Sequence, residues 1–504
     1  MNVLFITADQ WRGSCLSMLG DPVVKTPSLD RLASEGAVFV HHFAQAAPCA
    51  PSRTSLHTGM YLFNHRCVAN GTPVSRSLTN WALEMRRIGY DPSLFGYTDT
   101  AADPGGLDPS DPRLTHYSEP LPGIGTHTPV RDEVPMPWVE YLVRQGYTIP
   151  RKRWDLYGNR VAGTTWADGG DRVLPLAIRS EDHETAYLVR RCREWIDAAD
   201  GPWVTHLSLL RPHPPFVAPE PYNTLYPPAG IRSPLRHGEQ AREAAMHPFL
   251  AAMIRDPQYG DNGDPRRLED AWASYYGLMT EVDEHLGRLF DFLRERGHWD
   301  DTLVIFTSDH GEQLGDHWLT GKLGFFDQSY HIPLIVRDPR NAADASRGER
   351  FDMFTENVDI MPTMLDWLGT GIPSQCDGRS LLPILETAAT PAGWRTAVHW
   401  EFDFRHNSEW LQDTNPEVSV HQCHLGVLRD ERFKYVHFPA LPPLLFDLQR
   451  DPGEMEDVSN EPEYLGTRLE YAERLLDLRM RFTSRGLSET LLTPSGPLTS
   501  AALP

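Results

Sequence analysis

Cys49 opens the run Cys49-Ala50-Pro51-Ser52-Arg53-Thr54-Ser55-Leu56-His57-Thr58-Gly59, which sets a cysteine just before a helix that a proline starts and a glycine ends. A helix N-terminus offers free N–H groups and the positive end of the helix dipole. An anion is favoured there, whether a thiolate or an alkoxide made from it. Alone, a cysteine beside a turn is a small, half-buried hydrophobe. Two distant acids give it company: the apolar run 3–8 stops at Asp9, and the apolar run 303–307 stops at Asp309. Continuous apolar runs of this length are the pattern of central strands covered on both faces. The carboxyl edge of such a sheet is where α/β proteins bind ligands. Two carboxylates brought to one edge repel unless a divalent cation lies between them, so a metal is the simplest cause of the pair.

The elements that must position these residues follow in α/β order. Thr26-Pro27 reads as an N-cap with proline at the first helical position, and Leu29, Leu32 and Ala33 keep helical spacing up to Gly36. Residues 101–179 and 214–267 are rich in Pro, Gly and Asp with weak periodicity, which predicts long loops over one face. A helix is predicted over 268–296, where Trp272, Tyr275, Met279, Val282, Leu286, Leu289 and Leu293 form a core stripe. Another is predicted over 358–369. After Gly371-Ile372-Pro373 the pattern changes to short strands at 433–436 and 444–446 and a helix near 464–482. The expected organisation is a catalytic α/β domain over 1–375 and a C-terminal α+β subdomain with a short antiparallel sheet over 376–504. No internal repeat is visible.

At 504 residues, 40% hydrophobic and 23% charged, the chain has the size and composition of an ordinary globular protein with a sizeable core, neither disordered nor membrane-embedded. The net charge of −22 disfavours nucleic acid as a partner but leaves a small anionic ester open, because a metal and a few cations reverse the local field. Six cysteines without CxxC spacing fit a reducing compartment. The apolar run begins at once after the first residues, with no basic segment or cleavage site before it, so the expected location is the cytoplasm, with no membrane anchoring.

The Cys49 segment resembles the signature of the type I sulfatases, C-x-P-S-R followed by L-x-T-G, matched at Cys49, Pro51, Ser52, Arg53, Leu56, Thr58 and Gly59. Further runs, among them Asp9-Gln10-Trp11-Arg12, Asn64-His65-Arg66, Asn70, Gly96-Tyr97-Thr98, Arg211-Pro212-His213-Pro214-Pro215-Phe216, Ser308-Asp309-His310-Gly311-Glu312 and Gly321-Lys322, are similar to the phosphonate monoester hydrolase branch of the same superfamily. The likeness spans nearly the whole chain. It implies an alkaline-phosphatase-like sandwich with a large central mixed sheet flanked by helices. It also implies conversion of Cys49 to formylglycine by a formylglycine-generating enzyme. One divalent metal would be held by Asp9, Gln10, residue 49, Asp309 and His310. The imidazole tilts that site toward manganese, with calcium as the alternative.

In the mechanism the resemblance implies, the hydrated aldehyde attacks sulfur or phosphorus, and its second hydroxyl then expels the product. Arg53 would hold the nucleophile, Lys322 would neutralise the transferring group, and His213 is a candidate acid for the leaving alcohol. Asn70 and Tyr97 match substrate-contacting positions. Asp99 departs from the phosphonate hydrolases, which carry threonine there. If it faces the pocket, it penalises doubly charged phosphate monoesters more than singly charged sulfate esters; the equal alternative is that it caps Thr100 or its neighbours. The expected activity is sulfate monoester hydrolysis with promiscuous action on phosphonate monoesters and phosphodiesters. The inverted preference is the second reading, and an oxyanion-binding protein with Cys49 still a thiol is the third. The resemblance also implies a homo-oligomer, dimer or tetramer, with contacts from the C-terminal region.

Overall fold

The computed structural model describes all residues except 132–133, 162–172, 413–414, 416, 485–489, 495 and 500–504. Eight strands form the main sheet in the order Arg350–Glu356, Ala37–Phe43, Leu334–Arg337, Thr302–Thr307, Asn2–Ala8, Val204–Leu209, Ser93–Gly96 and Gly125–Thr126. Neighbours are parallel except around Leu334–Arg337, which runs antiparallel to both of its partners, so the sheet is mixed, as expected. The two apolar runs are its centre: Asn2–Ala8 lies between Val204–Leu209 and Thr302–Thr307, with Thr7 opposite both Ser208 and Thr307. Three strands therefore end together, and the residues that follow them share one edge.

Alternation along the central strand divides the core, because successive side chains leave a strand on opposite faces. Leu4, Ile6 and Ala8 pack with Trp272, Tyr275, Met279 and Leu286 of the helix Pro265–Glu295. Val3 and Phe5 pack on the other side with Leu56, Trp81, Met361 and Met364. The stripe predicted for 268–296 is the buried face of that long helix. At the helix Pro27–Ser34 the expected cap is corrected: Thr26 makes no side-chain cap. Its hydroxyl is engaged by Ser17, and the first-turn N–H groups of Ser28 and Leu29 donate to the Asp283 carboxylate of the long helix.

A second sheet has the order Leu444–Asp447, Phe433–His437, His424–Asp430, Ala397–Asp403 and Ala46–Ala47. Its last strand comes from far upstream, pairs in parallel with Ala397–Asp403, and leads directly into the helix Cys49–Thr58. The helix Leu465–Phe482 covers this sheet with Tyr471 and Leu475. The two segments expected to be loops contain helices at Met136–Arg144, Gln240–Ala244 and Pro248–Arg255. Each is under three turns long, too short for helical periodicity to stand out among flanking Pro and Gly, and two of them start with proline in the first turn. Residues 162–172 of the first segment lie outside the described residues. Among the described residues no helix is long and apolar enough to cross a membrane.

Candidate active site

The ends of the three central strands and the start of one helix converge on Cys49. The cysteine is the first residue of the helix Cys49–Thr58 rather than the residue ahead of it, and it is 4% exposed. Asp9 and Gln10 follow the Asn2–Ala8 strand, and Asp309 and His310 follow Thr302–Thr307. Candidate ligand atoms of Asp9, Cys49, Asp309 and His310 all lie within 4.8 Å of one another. Gln10 has a φ of +66°, a left-handed conformation that costs a non-glycine residue energy and persists only when neighbours hold it. Its N–H donates to Asp309 Oδ1 at 3.1 Å, and its carbonyl accepts from Tyr275 at 2.6 Å.

Arg53 lies one helical turn beyond Cys49 and is buried. Nε donates to Asp309 Oδ2 at 2.8 Å, Nη2 to Asp9 Oδ2 at 3.0 Å, and Nη1 to Tyr97 O and Ser208 Oγ, both at 2.9 Å. The guanidinium also stacks 4.2 Å from the centre of the Tyr97 ring. Its hydrogen bonds thus fix the two carboxylates, and the expected contact with Cys49 is not among them. Tyr97, expected at the substrate, gives its hydroxyl to Asp9. Asn70 accepts from the helix N–H of Ala50 at 3.0 Å while its side chain lines the cavity. Asp99 also lines the cavity, with Oδ2 3.7 Å from Arg53 Nε.

Lys322 Nζ reaches over the thiol, 3.0 Å from Cys49 Sγ, 2.9 Å from Gln10 Oε1 and 3.0 Å from His213 Nε2. His213 Nδ1 is 2.7 Å from the carbonyl of Pro214. A carbonyl only accepts, so the ring proton sits on Nδ1 and the Nε2 lone pair faces the ammonium. His310 has the same arrangement: Nδ1 donates to Gly311 O at 3.1 Å, and Nε2 points at Cys49 Sγ at 3.3 Å.

The electrostatics divide these groups sharply. Burial resists ionisation of Asp9, but the charges of His213, Lys322, Arg53 and His310, with both rings protonated in the acid range where the carboxyl titrates, overcome it and hold the carboxyl far below the ordinary range. Burial and then the Lys322 charge push His213 down to about 3, while burial also lowers His310; both rings are neutral near pH 7. Burial, followed by the charge of Asp9, raises Cys49 well above its ordinary value. The thiol keeps its proton and is a poor nucleophile as it stands.

The residues present fit a divalent cation. Asp9 Oδ1 is buried without a hydrogen-bond partner among the described residues, and the His310 Nε2 lone pair is oriented by its carbonyl contact, the usual second partner of a ligating histidine. Two carboxylates, an imidazole nitrogen and an amide oxygen make a mixed oxygen and nitrogen donor set.

Two groups with no assigned role complete the site. Glu312 accepts from the N–H groups of Leu314 and Gly321 and from the Gln10 amide, and so positions both Gln10 and the loop carrying Lys322. It stood in the quoted run Ser308 to Glu312, where its acid type was the available signal. Ser208 carried only its position near the end of an apolar strand.

The cavity above Cys49 measures about 730 Å³. Phe216, Leu268, Ala271, Leu314 and Tyr259 give it an apolar wall, and Arg267, Asp261 and His406 reach its lining from other elements.

Comparison with known proteins agrees with this geometry. The sulfatase family matches residues 1–370, and the C-terminal family of N-sulphoglucosamine sulphohydrolase matches residues 315–481. The multifunctional alkaline phosphatase superfamily protein PehA of Trinickia caryophylli is 39% identical over 98% of both chains. The arylsulfatase of Clostridium perfringens is 25% identical over 97% of this chain and 96% of its own. The crystal structure of the phosphonate monoester hydrolase of Agrobacterium radiobacter superposes with a TM-score of 0.91 at 43% identity, covering 99% of each chain. With a family match over most of its length and a relative of this identity, the chain belongs to the sulfatase family, hydrolases of the alkaline phosphatase superfamily.

Proposed function

We propose that this protein hydrolyses singly charged tetrahedral esters, sulfate monoesters and phosphonate monoesters with phosphodiesters beside them, at residue 49. The observation that carries the proposal is the place of Cys49: at the floor of the cavity, beneath Lys322 and beside the candidate metal ligands Asp9, Asp309 and His310, in a setting where the thiol itself stays protonated. Such a cysteine serves hydrolysis better after conversion to formylglycine by a formylglycine-generating enzyme. The hydrated aldehyde supplies a hydroxyl nucleophile and a second hydroxyl whose ionisation releases the product. A bound divalent ion, manganese favoured over calcium by His310, would be held by Asp9, Gln10, residue 49, Asp309 and His310, and would supply Lewis-acid chemistry to the anionic ester.

The chain's own residues do the rest. Arg53 helps keep Asp9 ionised and holds both Asp9 and Asp309 in place, and Lys322 neutralises the transferring group. His213, neutral at Nε2 and paired with Lys322, relays the ammonium proton to the leaving oxygen. Two readings of substrate order share this machinery. The preference for phosphonate over sulfate gains support from identity, 43% to a protein named as a phosphonate monoester hydrolase against 25% to an arylsulfatase. The test is kcat/KM for 4-nitrophenyl sulfate and 4-nitrophenyl phenylphosphonate, using protein produced with the converting enzyme. Turnover of neither ester overturns the proposal, and the ratio orders the two classes.

A cytoplasmic location is supported by six cysteines that are all free thiols. Homo-oligomerisation, as a dimer or tetramer, is supported by the exposed stripe Leu465, Leu469, Leu476 and Met480 on the C-terminal helix and by Leu491 and Leu492 on the adjoining hairpin.

A further inference from the structure

The segment 211–216 leaves the Val204–Leu209 strand at the same sheet edge as Asp9 and Asp309, and it carries His213. Pro212, Pro214 and Pro215 have no N–H to donate, so the segment cannot hold its own carbonyls by a backbone ladder. Arg211 folds back to hold them. Its Nη1 donates to the carbonyl of His213 at 2.5 Å and to that of Pro215 at 3.1 Å, which fixes the chain on both sides of the Pro214 carbonyl. That carbonyl is the one that accepts from His213 Nδ1 at 2.7 Å and leaves Nε2 facing Lys322. The guanidinium is itself fixed: Arg211 is fully buried, with Cζ 4.6 Å from the centre of the Tyr157 ring. Burial works against its charge, and the carboxylates of Glu184 and Glu281 are among the groups that oppose this.

We propose that Arg211 is a positioning residue for His213: by clamping the carbonyls of His213 and Pro215 it holds the imidazole with Nε2 against Lys322, the orientation its proton relay needs. The proposal rests on the hydrolytic reading above and deepens it by naming what aims its acid. Arg211 is not among the residues that line the cavity, so it acts through the loop. A guanidinium suits the task because its planar fork presents donors in fixed directions, whereas an ammonium is a point charge on a mobile stem. Proton transfer needs heavy-atom contact of about 2.6–3.2 Å, and a displacement of about 1 Å costs on the order of 10²-fold in rate. That cost falls on poor leaving groups. A phenoxide of high pKa needs its proton as the bond breaks, while 4-nitrophenoxide departs well without one.

Arg211→Lys keeps a cation beside Glu184 but ends one bond short of Nη1. Arg211→Met combined with Glu184→Gln is the second variant, in which Glu184 is not left as a bare buried charge. Each is compared with wild-type protein, produced with the converting enzyme, on phenyl and 4-nitrophenyl phenylphosphonate, two esters of equal charge that differ only in the leaving phenol. Both variants are expected to lower kcat for the phenyl ester by roughly 10²-fold, at least about tenfold more than for the nitrophenyl ester, with KM within about twofold. In a His213→Ala background the same substitutions should add no more than about twofold. Losses that multiply in the combined variants, or that are equal for the two esters while His213→Ala discriminates between them, overturn the role of Arg211. An equal loss on both esters from His213→Ala itself overturns the acid role of His213 instead, and the combined variants then decide on positioning. If wild-type protein turns over neither ester, the hydrolytic reading fails. Hydrogen exchange at the N–H groups of His213 and Val217, which donate to the carbonyls of Leu210 and Pro215, then decides: exchange faster by about tenfold or more in the variants upholds the clamp, and unchanged exchange overturns it.

Discussion

Lys434 is as deeply buried as Arg53, yet the two sit in charge clusters built on opposite plans. Lys434, on the second sheet, bonds Asp327 Oδ1 at 3.0 Å and also Glu454, while Arg429 lies 3.3 Å from the other Asp327 oxygen. Two cations face two carboxylates, and the cluster is closed. At the Cys49 end of the main sheet, Arg53 bonds Asp9 and Asp309, yet Asp9 Oδ1 has no hydrogen-bond partner among the described residues. A closed cluster holds elements together; one that leaves a buried carboxylate oxygen unbonded has a place for a cation from outside. Depth of burial does not distinguish structural from functional charge here, and completeness of pairing does.

That contrast can be broken at several points. Removing a carboxylate from the open cluster by Asp309→Asn should lower kcat/KM by about 10³-fold or more, the scale of losing a Lewis-acid site. It should also abolish the rise in Tm that manganese gives the wild type; retained activity would mean that Asp309 is not a ligand. In the closed cluster, Lys434→Met should cost about 3–5 kcal/mol in urea unfolding, because it strands Asp327 and Glu454, while turnover by the folded fraction stays within about twofold. A mild loss of stability would show that the second cluster is not closed in the sense argued.

Glu184 offers an intermediate case, a buried carboxylate that burial pushes up to about 7 against the opposing charge of Arg211. Its folded pKa lies above its unfolded value of 4.5. The native state therefore holds a proton that the unfolded chain releases, and stability falls as pH rises from about 4.5 through about 7. Glu184→Gln should remove this slope and gain up to about 3 kcal/mol at pH 8, with no gain near pH 4. Equal pH profiles for wild type and variant would contradict the shift. The smallest effect is expected from metal removal in the wild type. Restoring manganese to chelated protein at about a hundredfold over its Kd should return about 2.7 kcal/mol, read as a Tm increase.

The floor of the site was legible because each of its parts carried a local signal. Asp9 and Asp309 interrupted apolar runs, and Cys49 stood in a dense motif; the structure brings them together with His310 and Lys322 as the strand order requires. What stayed hidden depended on contacts between distant segments. Arg53 was expected to serve the nucleophile, yet its donors go to strand ends 44 and 256 positions away in sequence. Ala46–Ala47 is a strand only because Ala397–Asp403 pairs with it, and two alanines have no pattern of their own. The helix Pro248–Arg255 packs Phe249 against Phe402 and Phe404, a tertiary stabilisation invisible to local periodicity.

The pairing of Ala46–Ala47 with Ala397–Asp403 also sets a schedule. Under the formylglycine reading proposed above, a cysteine at the floor of a finished cavity has to be converted before the fold closes. The strand leading into its helix must wait for a partner that is translated roughly 350 residues later, which at ordinary ribosomal speeds is about 20–70 s. On that reading, the long separation between those two strands would keep residue 49 open to a converting enzyme for as long as the ribosome is still at work.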